Sequence, residues 1–236
     1  MKKVFLLLSL CTFVLACNEN QRKTDSSEPS NNREFIPDHD ANPALSTAET
    51  IAYKNGFEQW KDVSEINFTF NVDRGKNHFE RSWVWKPQSD LVVMRTAKDT
   101  VSFERSKLDS INTKYDASFI NDKYWLLAPF NLLWDEDATI ITERENVIAP
   151  ISKDTLNELT ITYGNEGGYT PGDAYDIYYG KDFMIREWVF REGNDSLPSM
   201  LTTWEEYQTH KGMKISTMHK DSTGNFKLYF TNVSVK

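Results

Sequence analysis

Four histidines, two cysteines and a few acidic clusters are the residues of this chain with chemistry to offer, and their spacing gathers none of them into a motif. His39, His78, His210 and His219 lie too far apart for a local metal-binding pair, and no serine or carboxylate stands beside them at a spacing that would announce a triad. Cys11 lies in an N-terminal leader and is discarded with it. Cys17 is then alone, which excludes a disulfide and a cysteine-based zinc site. Asp135-Glu136-Asp137 offers carboxylate oxygens for calcium, but it lacks the spaced ligands and the glycine of an EF-hand loop and reads as a solvated acidic loop. Gly164-Asn165-Glu166-Gly167-Gly168 has neither a Lys-Ser/Thr pair nor a helix start behind it, so it reads as turn chemistry and not as a phosphate cradle. Asp122, Asp173 and Glu187 are the acid–base groups that an enzyme working here would draw on. No metal and no cofactor is expected.

The remaining resource is apolar and aromatic. Phe68, Phe70, Trp83, Trp85, Trp125, Leu126 and Phe130 are the candidates to line a cavity for an apolar ligand, with Trp134 and Trp188 as further large aromatics. The same residues serve equally well as a dry core, and their types leave the two open. Charge narrows the partners. The chain carries a formal charge of −8; loss of Lys2 and Lys3 with the leader takes it to −10. A surface that acidic excludes nucleic acid and a general attraction to anionic membranes.

These residues need elements to place them. Phe119–Trp134 is the densest apolar stretch after the leader, with eleven apolar residues in sixteen, no period-2 alternation, and Pro129 inside it. It is too short and too punctuated to span a bilayer, and it fits a helical segment that covers or plugs one face of a sheet. Ser46-x-x-Glu49 is a capping box that opens a helix over residues 45–60, with Leu45, Ala48, Ala52, Gly56 and Trp60 on one face. Ile66, Phe68, Phe70 and Val72 alternate with polar residues in the cleanest strand pattern of the chain, and Arg74-Gly75-Lys76 turns it into a second run carrying Phe79, Trp83 and Trp85. Further strands are expected at 89–96, 100–105, 139–142, 146–151, 156–163, 175–179, 183–191, 200–207, 213–219 and 226–235. In the last, Phe226, Leu228 and Phe230 are out of phase with Val233 and Val235, which places a bulge near Thr231-Asn232. Thr170-Pro171-Gly172-Asp173 is a type II turn by its central Pro-Gly. The class expected is α+β, mainly β: a strongly curved antiparallel sheet of about ten strands, with an N-terminal helix and a central apolar lid segment.

Residues 1–16 have the basic start, apolar middle and small final residue of a secretory signal. Val14-Leu15-Ala16-Cys17 resembles the lipobox of bacterial lipoproteins, which implies that Cys17 is acylated and anchors the mature chain to a membrane. Residues 17–43 are polar, carry Pro29, Pro37 and Pro43, and read as a flexible tether, with Phe35-Ile36 its only apolar pair. Residues 44–236 are left for a single folded domain.

The lipobox, the tether, Phe57-x-x-Trp60, the Ile66–Val72 strand, Tyr124-Trp125-Leu126-Leu127-Ala128-Pro129-Phe130 and Thr170-Pro171-Gly172-Asp173-Ala174-Tyr175 together resemble a group of bacterial lipoproteins with the layout of the LolA/LolB-like superfamily. The resemblance implies a half-barrel closed by a helical lid over a hydrophobic cavity, in the envelope of a Gram-negative bacterium, anchored at the outer membrane. The function expected is a non-enzymatic, membrane-anchored lipoprotein that binds lipid or another apolar molecule. The alternatives are a structural or interaction lipoprotein whose interior is filled by its own side chains, and an enzyme using the same cavity.

Overall fold

The structure, a computed structural model, describes residues 44–166 and 168–236. Cys17 and the tether expected over 17–43 lie outside the described residues. Two helices are separated by a four-stranded meander: α1 (Thr47–Lys54), then β1 (Ile66–Arg74), β2 (Asn77–Lys86), β3 (Leu91–Arg95) and β4 (Thr100–Glu104), then α2 (Thr113–Trp134). Eight strands follow: β5 (Thr139–Ile148), β6 (Thr155–Tyr163), β7 (Ala174–Tyr179), β8 (Ile185–Arg191), β9 (Met200–Thr203), β10 (Glu205–His210), β11 (Met213–Lys220) and β12 (Phe226–Val235). They make a seven-stranded sheet in the order β10-β11-β12-β1-β2-β3-β4 and a five-stranded sheet in the order β5-β6-β7-β8-β9. All neighbouring strands for which a register is resolved run antiparallel.

The two sheets share one length of chain. The run expected at 200–207 is two strands, because Trp204 interrupts it. Up to Trp204 the chain pairs with β8, the Trp204 N–H donating to the Arg186 carbonyl at 2.7 Å; from Glu205 onward it pairs with β11. Glu206 takes φ +55°, a left-handed bend that a strand interior does not normally hold. Side chains of β11 fill in where the backbone ladder breaks. Ser216 Oγ donates to the Glu205 carbonyl at 2.8 Å and Thr217 Oγ1 to the Glu206 carbonyl at 2.7 Å. Among the described residues β4 and β5 do not pair, so the sheet curves without closing, a half-barrel.

The expected bulge in the last strand is present. Asn67 pairs with Ser234 and Thr69 with Thr231, so Asn232 (φ +54°) and Val233 together oppose Phe68. The strands expected at 139–142 and 146–151 are one strand, β5, whose register slips between Arg144 and Val147 around Asn146 at φ +54°. A second bulge has the signature of a strand break in sequence, which accounts for the difference.

At α1 the capping box forms, with the Glu49 N–H donating to Ser46 Oγ at 3.2 Å and the Ser46 N–H to Glu49 Oε2 at 2.7 Å. The helix ends earlier than its periodicity suggests. Gly56 turns left-handed (φ +90°) and a short 3-10 turn, Phe57–Asp62, follows. A side chain at Gly56 would run into the Gly212 carbonyl and come within 2.9 Å of Met213 Cα, so the β10–β11 hairpin packs on bare backbone there. Leu45 is exposed, unlike the rest of the face assigned to it.

Every residue of α2 from Asp122 to Leu132 is buried. A helix surrounded on all sides belongs inside the curve of the sheet, as the lid or plug expected from its apolar content. Leu127 departs from helical geometry (φ −126°, ψ 29°) two residues before Pro129, whose ring would collide with the Trp125 carbonyl in a straight helix. Phe119 packs edge-on against Trp83 and Trp85, with ring centroids 5.4 and 5.3 Å away, which fixes the first half of α2 to the inner face of β2.

Candidate functional site

Alternation along the strands puts Tyr163 of β6, Tyr175 of β7 and Trp188 and Phe190 of β8 on the inner face, and Trp85 of β2 on the facing sheet. Between these residues and the exposed-to-buried transition of α2 is a partly open cavity of about 960 Å³. Ala117, Ile120, Lys123, Tyr124, Trp125, Asn131 and Trp134 line it from α2, and the β6–β7 connection adds Gly164, Tyr169 and Thr170. The volume is at the upper end of the roughly 300–1,000 Å³ typical of ligand clefts.

Aromatic packing forms the wall in two groups. Tyr124, Tyr175, Trp188 and Trp125 make one continuous cluster, with Trp125 edge-on to Trp188 at 4.4 Å between centroids and Tyr124 tilted against Tyr175 at 5.0 Å. Trp60, Trp85 and Trp134 make the other, with Trp60 4.8 Å from Trp134 and 5.1 Å from Trp85. Hydroxyls are few and mostly engaged. The Tyr124 and Tyr163 hydroxyls lie 3.1 Å apart, and Tyr163 donates to Asp135 at 2.8 Å. Burial pushes both phenols upward, so neither ionises near neutrality. At the rim, Asp116 accepts from Arg105 Nε and from the Tyr169 hydroxyl, each at 2.7 Å; burial and that carboxylate push the Tyr169 phenol up to about 12.

One cation stands inside. Lys123 is 9 % exposed, its ammonium donates to Asn131 Oδ1 at 2.9 Å, and it lies 4.5 Å from the centre of the Trp134 ring. Burial pushes the ammonium down to about 8, opposed by the nearby Asp135 carboxylate.

No family model and no curated protein matches this chain. Solved structures do. A LolA superfamily protein from Nitrosomonas europaea aligns at 11 % identity over 81 % of this chain and 94 % of its own, with a TM-score of 0.49. A DUF1329 family protein from Desulfovibrio piger aligns at 12 % identity over 80 % of this chain and 92 % of its own, with a TM-score of 0.46. A domain from Vibrio parahaemolyticus described as an outer membrane lipoprotein-sorting protein aligns at 7 % identity over 80 % and 93 %, with a TM-score of 0.45. The likeness carries nothing about what the cavity holds.

Of the seven residues that sequence singles out for a cavity, Trp85 and Trp125 border it. Phe68, Phe70, Trp83, Leu126 and Phe130 are buried in the core around it instead. Trp83 has a distinct task, its indole N–H donating to Asp122 Oδ2 at 2.7 Å. The three acid–base candidates are dispersed. Asp122 is fully buried and clamped by Arg81 through Nε and Nη2 at 2.5 and 2.6 Å; burial raises its carboxyl, and the guanidinium and the Trp83 N–H pull it back. Glu187 accepts the Ile151 and Ser152 N–H groups at 2.7 and 2.8 Å, holding the β5–β6 turn. Asp173 borders the cavity and accepts the Gly193 N–H at 2.8 Å. His219 is a core residue, with Nδ1 3.2 Å from the Thr203 carbonyl and its ring against Trp204 and Trp125. Among the described residues no three His, Cys, Asp or Glu side chains gather as a metal site would require.

Lys123 and Asn131, which share a face of α2 with Trp134, are the site residues that sequence reasoning missed. Their spacing of eight and three puts them on one face of a helix, so a polar pair inside an apolar helix was the available signal. The place of Lys123 directly after Asn121 and Asp122 gives it the look of a solvent-facing polar run, which conceals it.

Proposed function

We propose that this chain is a lipid-binding protein of the cell envelope that holds the apolar part of a lipid or similar amphiphile in the cavity between α2 and the curved sheet, without converting it. The cavity itself carries the reading: about 960 Å³ bounded by aromatic side chains, beside a helix that is already buried on all sides. A core filled by its own side chains has no such space. The acidic groups nearby support binding without chemistry, since Asp116, Asp122 and Asp173 each serve a structural partner. Burying roughly fifteen methylenes at about 0.8 kcal/mol each contributes about 12 kcal/mol. Association costs of about 4 kcal/mol or more leave affinities around micromolar.

The lipobox-like Val14-Leu15-Ala16-Cys17 supports an acyl anchor, and in this reading the 17–43 tether links the domain to a Gram-negative outer membrane. Cys17→Ser should then yield an uncleaved or a soluble form; a variant that is cleaved normally and still membrane-bound after a high-salt wash would refute the anchor. For the cavity, the neutral fluorescent probe N-phenyl-1-naphthylamine should bind one site saturably. Absence of saturable uptake would remove the lipid-binding reading.

A further inference from the structure

The polar end of the cavity is built from donors. Lys123 has given one N–H to Asn131 Oδ1, and a lysine ammonium has three to give. That bond also fixes the orientation of the amide, because only its oxygen can accept from an ammonium. Asn131 Nδ2 is therefore a donor, buried and without a partner, and so is Trp85 Nε1. Asn131 is 1 % exposed and Trp85 is 6 % exposed; both line the cavity. The Asn131 amide is the one that holds Lys123, and the Trp85 ring lies beyond that of Trp134. Lys123 lies 4.5 Å from the Trp134 ring, and that ring is 6.4 Å from Trp85. The Asn131 and Trp85 nitrogens are both closed off from the cavity space, as is Trp188 Nε1 on the opposite wall, so the polar group left for an occupant is the Lys123 ammonium with its two unused N–H groups.

The charges around Lys123 decide the sign of that occupant's charge. Arg105 and Asp116 are paired with each other at 2.7 Å. Asp135 faces Lys123 from the end of the helix without forming an ion pair with it, and its Oδ2 accepts from Tyr163. Lys123 is thus a buried single cation with no carboxylate in contact, a costly arrangement that one negative charge would relieve.

We infer that the cavity takes an amphiphile whose head is a carboxylate, seated against Lys123 Nζ with its chain running along the aromatic wall. This rests on the lipid-binding reading above. A single cation matches a monoanionic head, and the oxygens of one carboxylate can take its two unused N–H groups.

The test uses the full chain with Cys17→Ser, which removes the acylation site and leaves residues 44–236 untouched, and compares cis-parinaric acid with its methyl ester at pH 7. The acid should bind about tenfold or more tightly than the ester, the scale of a hydrogen bond to a charged group. In Lys123→Met that preference should collapse while the affinity for the ester stays. Asn131→Asp gives Lys123 an internal carboxylate partner and should abolish the preference too, in a variant whose buried charge is now paired. Melting curves report whether each variant folds. Equal binding of acid and ester by the unmodified site would overturn the carboxylate head and leave the lipid cavity standing; binding of neither would remove both. A preference that survives in a folded Lys123→Met or in Asn131→Asp would make Lys123 a staple across the Pro129 kink and nothing more. Displacement by oleate should need less competitor than displacement by lysophosphatidylglycerol, and the reverse order would overturn the carboxylate assignment.

Discussion

Burial gives two titratable residues the same sign of pH dependence of stability in two separate windows. His219 is fully buried, and desolvation pushes its ring down to about 3 from an ordinary 6.5. Between those values the unfolded chain takes up a proton that the folded one refuses. Stability is therefore full above pH 6.5 and falls as the pH is lowered toward 3, by on the order of 4 kcal/mol in all. Lys123, pushed down to about 8 from 10.5, works at the other end. The unfolded chain keeps its proton there longer than the folded one, so stability rises with pH from about 8 to 10.5. Arg105 adds to that effect, and Asp135 and Asp116 oppose it. Urea unfolding across pH 3–7 should show the acid slope in the parent and a shallower one in His219→Gln; equal slopes would mean that the ring is reached by water. None of this is legible in the sequence, where His219 is one of four unremarkable histidines. Asp122 was equally hidden, since its role depends on Arg81, far away in sequence and brought opposite by β2.

For whole elements the sequence is far more informative, with failures of one kind. Period-2 alternation identifies β1 and β2, and the phase slip in β12 locates its bulge, because both depend on neighbours in the chain. The expected strands went astray at Asn146 and Trp204, where a left-handed residue or a change of pairing partner interrupts the pattern while the chain direction continues. Composition shows α2 to be apolar but not which of its faces meets empty space. The structure separates them, and substitutions can confirm it. Leu126 is 1 % exposed and packed in the core, so Leu126→Ala should cost about 2–5 kcal/mol. Uptake of N-phenyl-1-naphthylamine by the folded variant should be unchanged. Ile120 is half-buried and borders the cavity, so Ile120→Trp should leave the melting temperature within a few degrees and reduce probe uptake severalfold. The opposite assignment of stability and binding effects would place the cavity on the wrong side of α2.

At the scale of the molecule, one length of chain, β9 followed by β10, carries the five-stranded sheet into the seven-stranded one, and the curve so formed is wider than α2 alone can fill. Aromatic richness in the sequence left a dry core and a cavity open, since both demand the same residue types; only their three-dimensional spacing separates them. Five of the seven residues named from sequence went to the core, and tyrosines from the second sheet took their place on the wall. The claim that this space exists to hold an amphiphile is tested most directly by native mass spectrometry of the protein purified from its own envelope. A one-to-one complex with a non-covalent, lipid-sized mass is predicted, lost on denaturation and much reduced in Ile120→Trp. A parent protein free of any such mass that also takes up none from added lipid, or an adduct undiminished in Ile120→Trp, would contradict it.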